Sequence, residues 1–180
     1  MTLNPSNTSN LEQLTSKGLI RDRCFIVHAT WHSVVTCDSD DKDEFVVLKN
    51  WTDGGNHAFI RSCIAADADR GLITVRYGGH YVFYDHLAVC RCAGNLEFRQ
   101  RIYRRPANGG DDMILLQDSR AGGYPRGGEG CVGEPPFSSD LFAVVRLEDG
   151  DSVWISVKPA SAVYRPNDAS FFGLYRLPLL

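Results

Sequence analysis

From Arg23 onward the chain alternates between short apolar runs and clusters of turn-forming residues. The runs read "CFIVHATW", "EFVVLKNW", "HAFIRSCI", "GLITVRY", "HYVFYDHLAV", "LEFRQRIYRR", "MILLQDS", "LFAVVRL", "SVWISVK" and "SFFGLYRL". Between them stand "DSDDKDE", "TDGGN", "ADADRG", "PANGGDD", "GGYPRGGEG", "EDGD" and "RPND". β-branched and aromatic residues fill the runs and Gly, Pro and Asp fill the breaks, so each run predicts a strand and each break a turn. No stretch carries apolar residues at helical spacing over a useful length. Residues 1–22 are polar and rich in Ser, Thr and Asn, with one weak helical patch around Leu11 to Leu14, and read as a flexible lead-in or stalk remnant. Residues 23–180 then form one all-β domain, a sandwich or barrel with a jelly roll among the options.

The strands differ in how their two faces are filled. In "LEFRQRIYRR" the side of Leu96, Phe98 and Ile102 is apolar and the side of Glu97, Arg99, Arg101 and Arg105 is charged, as a sheet facing water requires. Three other runs are apolar on both sides. Tyr81 and Phe83 oppose Val82 and Tyr84, Leu141 and Val145 oppose Phe142 and Val144, and Phe172 and Leu174 oppose Phe171 and Tyr175. A single sandwich has one interior, so a sheet apolar on both faces calls for a second surface against it, and a cyclic oligomer supplies one.

Composition agrees with a single globular unit: 180 residues, 43% hydrophobic and 11% aromatic. A net charge of −3 gives no footprint for non-specific nucleic-acid binding, although 15 of the 19 basic residues are Arg. No run approaches the roughly 18 apolar residues of a membrane helix, and the opening "MTLNPSNTSNLEQL" lacks the basic and apolar regions of a signal peptide, so a soluble chain is expected, and an extracellular home would make it a mature or truncated form. The six cysteines, Cys24, Cys37, Cys63, Cys90, Cys92 and Cys131, allow fifteen sets of three disulfides, and counting does not choose among them. Asn7 and Asn50 head glycosylation acceptor triplets, whereas Pro5 blocks the one at Asn4.

Candidate chemistry is sparse. "GDS" at Gly150 to Ser152 is shared with hydrolase nucleophile motifs, but it precedes a strand and has no accompanying base or oxyanion element, so a hairpin turn is the simpler reading. Cys90, Cys92 and Cys131 lack the spacing and the His pair of a zinc site. "CDSDDKDE" has the charge of a calcium loop without its Gly or its terminal Glu. "GGYPRGGEG" lacks the Lys-Ser/Thr of a phosphate loop, and the five histidines show no ligand spacing. Arg99, Arg101, Arg104 and Arg105 with Tyr103 suit either a polyanion or a charged outer strand face. A non-enzymatic protein without a cofactor or metal is expected.

The doubly apolar stretches also carry a family resemblance. "GGHYVFYDHLAV", "LEDGDSVWISV" and the closing "SFFGLYRL" resemble the tumour necrosis factor ligand family, in which a G-x-Y-x-x-Y strand, a Leu-x-x-Gly-Asp turn and a terminal Phe-Phe-Gly-Leu strand recur. "VHAT" around His28 and "LKNWTDGGNHAFI" are similar to that family's first two stretches, so five motifs stand in order from about Arg23 to Leu177, and the last strand is most similar to that of Fas ligand. The resemblance implies a ten-stranded jelly roll assembled as a homotrimer, with Val82, Tyr84, Phe142, Val144, Phe171, Gly173 and Tyr175 facing the three-fold axis. It implies an extracellular cytokine, secreted or shed from a type II membrane protein whose anchor is absent from this chain, that clusters receptors of the tumour necrosis factor receptor family. It also implies a disulfide from the loop after the G-x-Y-x-x-Y strand, with Cys90 or Cys92, to Cys131; spacing to Tyr103 matches the family better for Cys92 with Cys131.

Receptor contacts implied by the resemblance fall on "CDSDDKDE" with Asp40 and Asp41, on "PANGGDD" with Asn108 and Gly109, and on "VYRPND" with Tyr164 and Arg165. The sequence departs from the family pattern in several places. Asp140 occupies a position where an aromatic is usual, Phe142 one where a small residue is usual, "PANGGDD" lacks the tyrosine several death-receptor ligands present, and "PLL" runs past the usual end. With no aromatic anchor in that loop, Tyr164 and Arg165 are the residue types suited to replace it. A complement-type globular recognition head, which shares the jelly roll and the trimer, fits "GGHYVFY" and "GDSVW" as well, but no collagen-like Gly-X-Y stretch is present and the terminal "FFGLYRL" favours the cytokine.

Overall fold

A computed structural model of the chain describes residues 27–30, 44–51, 64–89, 97–120, 137–163 and 169–177. These residues form ten strands: β1 (Val27–Thr30), β2 (Val46–Val47), β3 (Ile64–Asp67), β4 (Leu72–Val75), β5 (Gly79–Val89), β6 (Phe98–Arg105), β7 (Met113–Arg120), β8 (Phe137–Leu147), β9 (Ser152–Lys158) and β10 (Phe171–Arg176). A short 3-10 turn at Ala160–Ala162 follows β9. All pairings are antiparallel. Four strands make one sheet in the order β1-β10-β5-β8; the other six make a second in the order β3-β4-β9-β6-β7, with β2 also paired to β9. The all-β class expected from the runs and breaks is what the chain adopts.

Boundaries shift where local chemistry closes a turn early. Ala66 and Asp67, expected in the turn "ADADRG", instead extend β3 opposite Ile73 and Leu72. Asp67 makes this possible: its Oδ1 accepts the Arg70 amide at 3.0 Å, which tightens the reversal to the residues after it. Gly71, at φ +73°, completes the turn in the left-handed region that Gly adopts at least cost. β8 begins at Phe137, four residues before "LFAVVRL", because it follows β5 along its whole length from Val89 back to Gly79.

The two sheets share one core. β5 and β10 supply Tyr81, Phe83, Leu87, Phe172 and Leu174, while β4, β6 and β9 supply Ile73, Val75, Phe98, Ile102, Val153 and Ile155. Phe83 stacks near Phe172, and Trp51 meets Phe172 edge-on at 5.5 Å. Burial of this set away from water is the main drive for the fold.

Polar groups enter the core at two places. At one end, Asp151 is almost wholly buried and accepts the Glu148 amide at 2.8 Å and the Ala107 amide at 3.2 Å, with Arg104 Nε 2.6 Å from its Oδ2. The "GDS" stretch lies at the β8–β9 turn and opens β9, but the turn crosses between the sheets and is not the expected hairpin, since β8 pairs with β5 and β9 with β4 and β6. Gly150, at φ +82°, donates to Val75, whose own amide donates to Asp151. Arg104 consequently turns inward, so it does not belong to the charged outer face with its neighbours Arg101 and Arg105.

Deeper in, Gln100 occupies the core-facing position between Phe98 and Ile102 and is fully buried, as is Asp85 of β5 for all but a few per cent of its surface. Asp85 Oδ1 accepts the Leu141 amide at 3.0 Å, but Oδ2 and both polar side-chain atoms of Gln100 lack an aligned hydrogen bond within the described residues. Burial pushes the Asp85 carboxyl up to about 8, against the Leu141 hydrogen bond and with help from Asp140 and Asp118. The folded chain thus keeps this proton up to about pH 8, whereas the unfolded chain releases it near 3.8. Between those values the unfolded state binds fewer protons, so stability falls as pH rises, by at most about 6 kcal/mol. Asp85→Asn, which cannot ionise, should flatten this slope and exceed the wild type in stability at pH 8. Urea unfolding from pH 4 to pH 9 reads both effects, and parallel curves for the two proteins would refute them.

Candidate functional site

Because side chains alternate along a strand, the four-stranded sheet has a second face pointing away from the core. Register sets the neighbours on it. Phe171 of β10, His86 of β5 and Asp140 of β8 form one row; Gly173, Tyr84 and Phe142 form the next; Tyr175, Val82 and Val144 form the third. His28 of β1 pairs with Gly173 and extends the middle row in backbone register. The seven residues assigned to an assembly surface from the sequence, Val82, Tyr84, Phe142, Val144, Phe171, Gly173 and Tyr175, therefore occupy one contiguous patch.

Tyr84 organises the patch. Its ring lies over Gly173, so close that a Cβ on Gly173 would occupy the same space as the ring. From this seat the ring approaches Tyr175 at 6.3 Å and Phe171 at 6.5 Å between centroids. Burial, with a smaller contribution from Tyr175, raises the Tyr84 hydroxyl above its ordinary value. Val82 and Gly173 are already covered within the chain, and Phe171 and Tyr175 are half-buried. Phe142 and Val144 are not: 69% and 55% of their surfaces are exposed. Two large apolar side chains exposed beside an aromatic cluster make the kind of patch that marks an interaction surface.

The top row is polar and self-paired. His86 Nδ1 lies 2.5 Å from Asp140 Oδ1, and the His86 ring stacks on Phe171 at 5.2 Å. Asp140, which stands where the resembling family carries an aromatic, is thus a half-exposed partner of His86 rather than an unpaired buried charge. Spacing along the sequence gives His86 no partner. Only the register, which puts residue 86 opposite 140, reveals the pair.

The loop joining β6 to β7 carries Asn108 and Gly109 at the exposed tip. Gly109 donates to Pro106 and sits at φ +80°, and Asn108 Oδ1 accepts the Gly110 amide at 3.3 Å. Both ends of this loop are anchored, by the Ala107 bond to Asp151 and by the bidentate pair of Arg105 with Asp112 at 2.7 and 2.9 Å. Asp40, Asp41, Tyr164 and Arg165, the proposed disulfide of Cys92 with Cys131, and the other four cysteines lie outside the described residues. Among the described residues no group of three or more His, Cys, Asp or Glu side chains gathers as a metal site would require. In comparison with known proteins, the chain matches no family model and no curated protein.

The contact of Tyr84 with Gly173 should appear as an energetic coupling. Gly173→Ala forces the ring off its seat and is expected to cost about 1–3 kcal/mol. In the Tyr84→Ala background the same change should cost under about half as much, since the clash is gone. Urea denaturation of the four proteins in this cycle measures the coupling; equal costs in both backgrounds would rule it out.

Proposed function

We propose that this chain is the jelly-roll head of an extracellular, non-enzymatic ligand of the tumour necrosis factor type, which assembles as a homotrimer and clusters cell-surface receptors. The observation that carries the reading is the apolar outer face of the four-stranded sheet, with Phe142 and Val144 exposed next to Tyr84, Phe171 and Tyr175. The resemblance in "GGHYVFYDHLAV" and "SFFGLYRL" falls on the strands β5 and β10 that build this face. The path of the chain supports a jelly roll: from β5 it crosses to β6 and β7 in the second sheet, returns to β8, crosses to β9 and returns to β10.

A ring of three copies needs heterologous contacts, in which one patch of each protomer meets a different patch of the next. Two such patches lie side by side. One is the outer face; the other is the edge where β7 runs beside β8, and there Met113 and Ile114 are about half exposed. An edge from one copy laid on the face of the next would cover Phe142 and Val144 and close after three. Each groove between neighbours then offers an identical receptor site, and three receptors held at fixed spacing bring their cytoplasmic parts to high effective concentration. The anchored β6–β7 loop with Asn108 and Gly109 suits the rim of such a groove.

Light scattering on the purified chain tests the assembly. The wild type should run as a trimer at micromolar concentration, and Phe142→Asp should give a folded monomer because a charge buried in the interface without a partner is costly. A wild-type monomer, or a dimer, would contradict the proposal. Surface plasmon resonance against ectodomains of the tumour necrosis factor receptor family tests the partner: the trimer should dissociate from a dense receptor surface at least about tenfold more slowly than the Phe142→Asp monomer, by avidity.

A further inference from the structure

The outer face of the six-stranded sheet carries a different surface. β9 is bonded along its length to β6 on one side and to β4 and β2 on the other, and where these strands meet the sheet is hollowed into an open groove of about 420 Å³. Trp154 and Tyr103, directly paired across β9 and β6, stack in parallel at 5.4 Å with only 6° between their planes. Arg105 brings its guanidinium 5.2 Å from the Trp154 ring, steadied by Asp112. Lys49 and Arg70 complete the rim, both exposed, and Val47 and Leu72 add apolar surface to the floor. One rung further along β6, Arg101 lies over the Phe45 ring at 3.8 Å and donates to Gln117.

Three facts point to a ligand. A water-facing sheet surface ordinarily carries polar side chains, yet this one carries Trp154, itself 6% exposed, with the partly exposed ring of Tyr103 stacked against it. The groove rim holds Lys49, Arg70 and Arg105 against Asp112, which pairs with Arg105, and Asp67, 3.9 Å from Arg70, so the rim keeps a positive excess although the chain as a whole has a net charge of −3. The strands lining the groove centre are paired on both sides, so an extended peptide finds no free backbone there to extend the sheet. Recognition must come from ring faces and fixed cations, and the ligand must offer apolar faces and anions together.

We infer that this groove binds an anionic saccharide, a short stretch of sulfated glycan whose sugar rings lie on Tyr103 while its sulfates meet Lys49, Arg70 and Arg105. Guanidinium groups suit this role because their planar donors form charge-assisted, paired hydrogen bonds to oxyanions. The choice of a saccharide over a nucleic acid, which also pairs anions with flat rings, rests on the extracellular reading of the chain. The groove lies on the opposite sheet from the assembly face, so the two surfaces can be occupied together.

A heparin-derived hexasaccharide titrated calorimetrically into the full chain is the test, with the fully desulfated hexasaccharide, hexaglutamate and a single-stranded DNA hexamer as competitors of known chemistry. The sulfated sugar should bind, and the desulfated one should not. The double variant Lys49→Gln with Arg70→Gln should weaken binding at least about tenfold and reduce its salt dependence. Tyr103→Ala should weaken it about threefold or more with the salt dependence unchanged, which separates stacking from charge. Phe142→Asp should bind the sugar as the wild type does, so loss of assembly and loss of this site are read apart. No binding of the sulfated sugar, binding indifferent to the Lys49, Arg70 and Tyr103 changes, or equal or tighter binding of hexaglutamate or of DNA would each overturn the inference.

Discussion

Everything in this structure hangs on β5 being apolar on both sides. Its eleven residues pair with β10 on one flank and β8 on the other, so whatever β5 projects inward or outward becomes the middle of a face. Inward it sends Tyr81, Phe83 and Leu87, which are shut away from solvent and join the two sheets through one core. Outward it sends Val82, Tyr84 and His86, which become the centres of the three rows of the assembly face. A slip of one residue in either pairing would exchange these sets and put Asp85 outside and Tyr84 in the core. The core and the outer face are thus specified by a single register.

Gly173 is the outer face's matching concession. An apolar sheet face can present a ring lying flat only if the strand beside it leaves room, and Gly173 leaves that room under Tyr84. The ring then covers the backbone of β10 instead of standing into solvent, and Tyr175 and Phe171 close around it. Phe142, opposite Tyr84 on β8, has no such hollow and stays exposed. The division between what the chain covers by itself and what is left for a neighbour follows from where a Cβ is missing.

The polar groups in the interior fall into two kinds with opposite consequences. Asp151 is matched by two backbone amides and Arg104, and it ties the β8–β9 turn to the β6–β7 loop, so its burial organises the end of the molecule that presents Asn108 and Gly109. Asp85 and Gln100 are incompletely matched, and the carboxyl stays protonated at neutral pH instead. The first makes a rigid mount for a loop; the second makes the core sensitive to pH. The outer sheet shows the same economy in its charges, with Arg101 and Arg105 laid across Phe45 and Trp154 so that charge and ring share one surface.

By itself the sequence determined the all-β class, the turns at Gly71, Gly109 and Gly150, and the two-sided character of β5, β8 and β10, because alternation and turn chemistry are local properties that a few adjacent residues express. Parity also grouped the seven residues of the outer patch strand by strand, while the family resemblance chose which side of each strand to assign to assembly. Parity does not tell which strands become neighbours. The pairing of His86 with Asp140, the seating of Tyr84 on Gly173, the inward turn of Arg104 onto Asp151 and the stack of Tyr103 on Trp154 join residues distant in sequence, 47 to 89 positions apart. Such contacts depend on strand order and register across the sheet, which only the packing of two sheets on a common core decides.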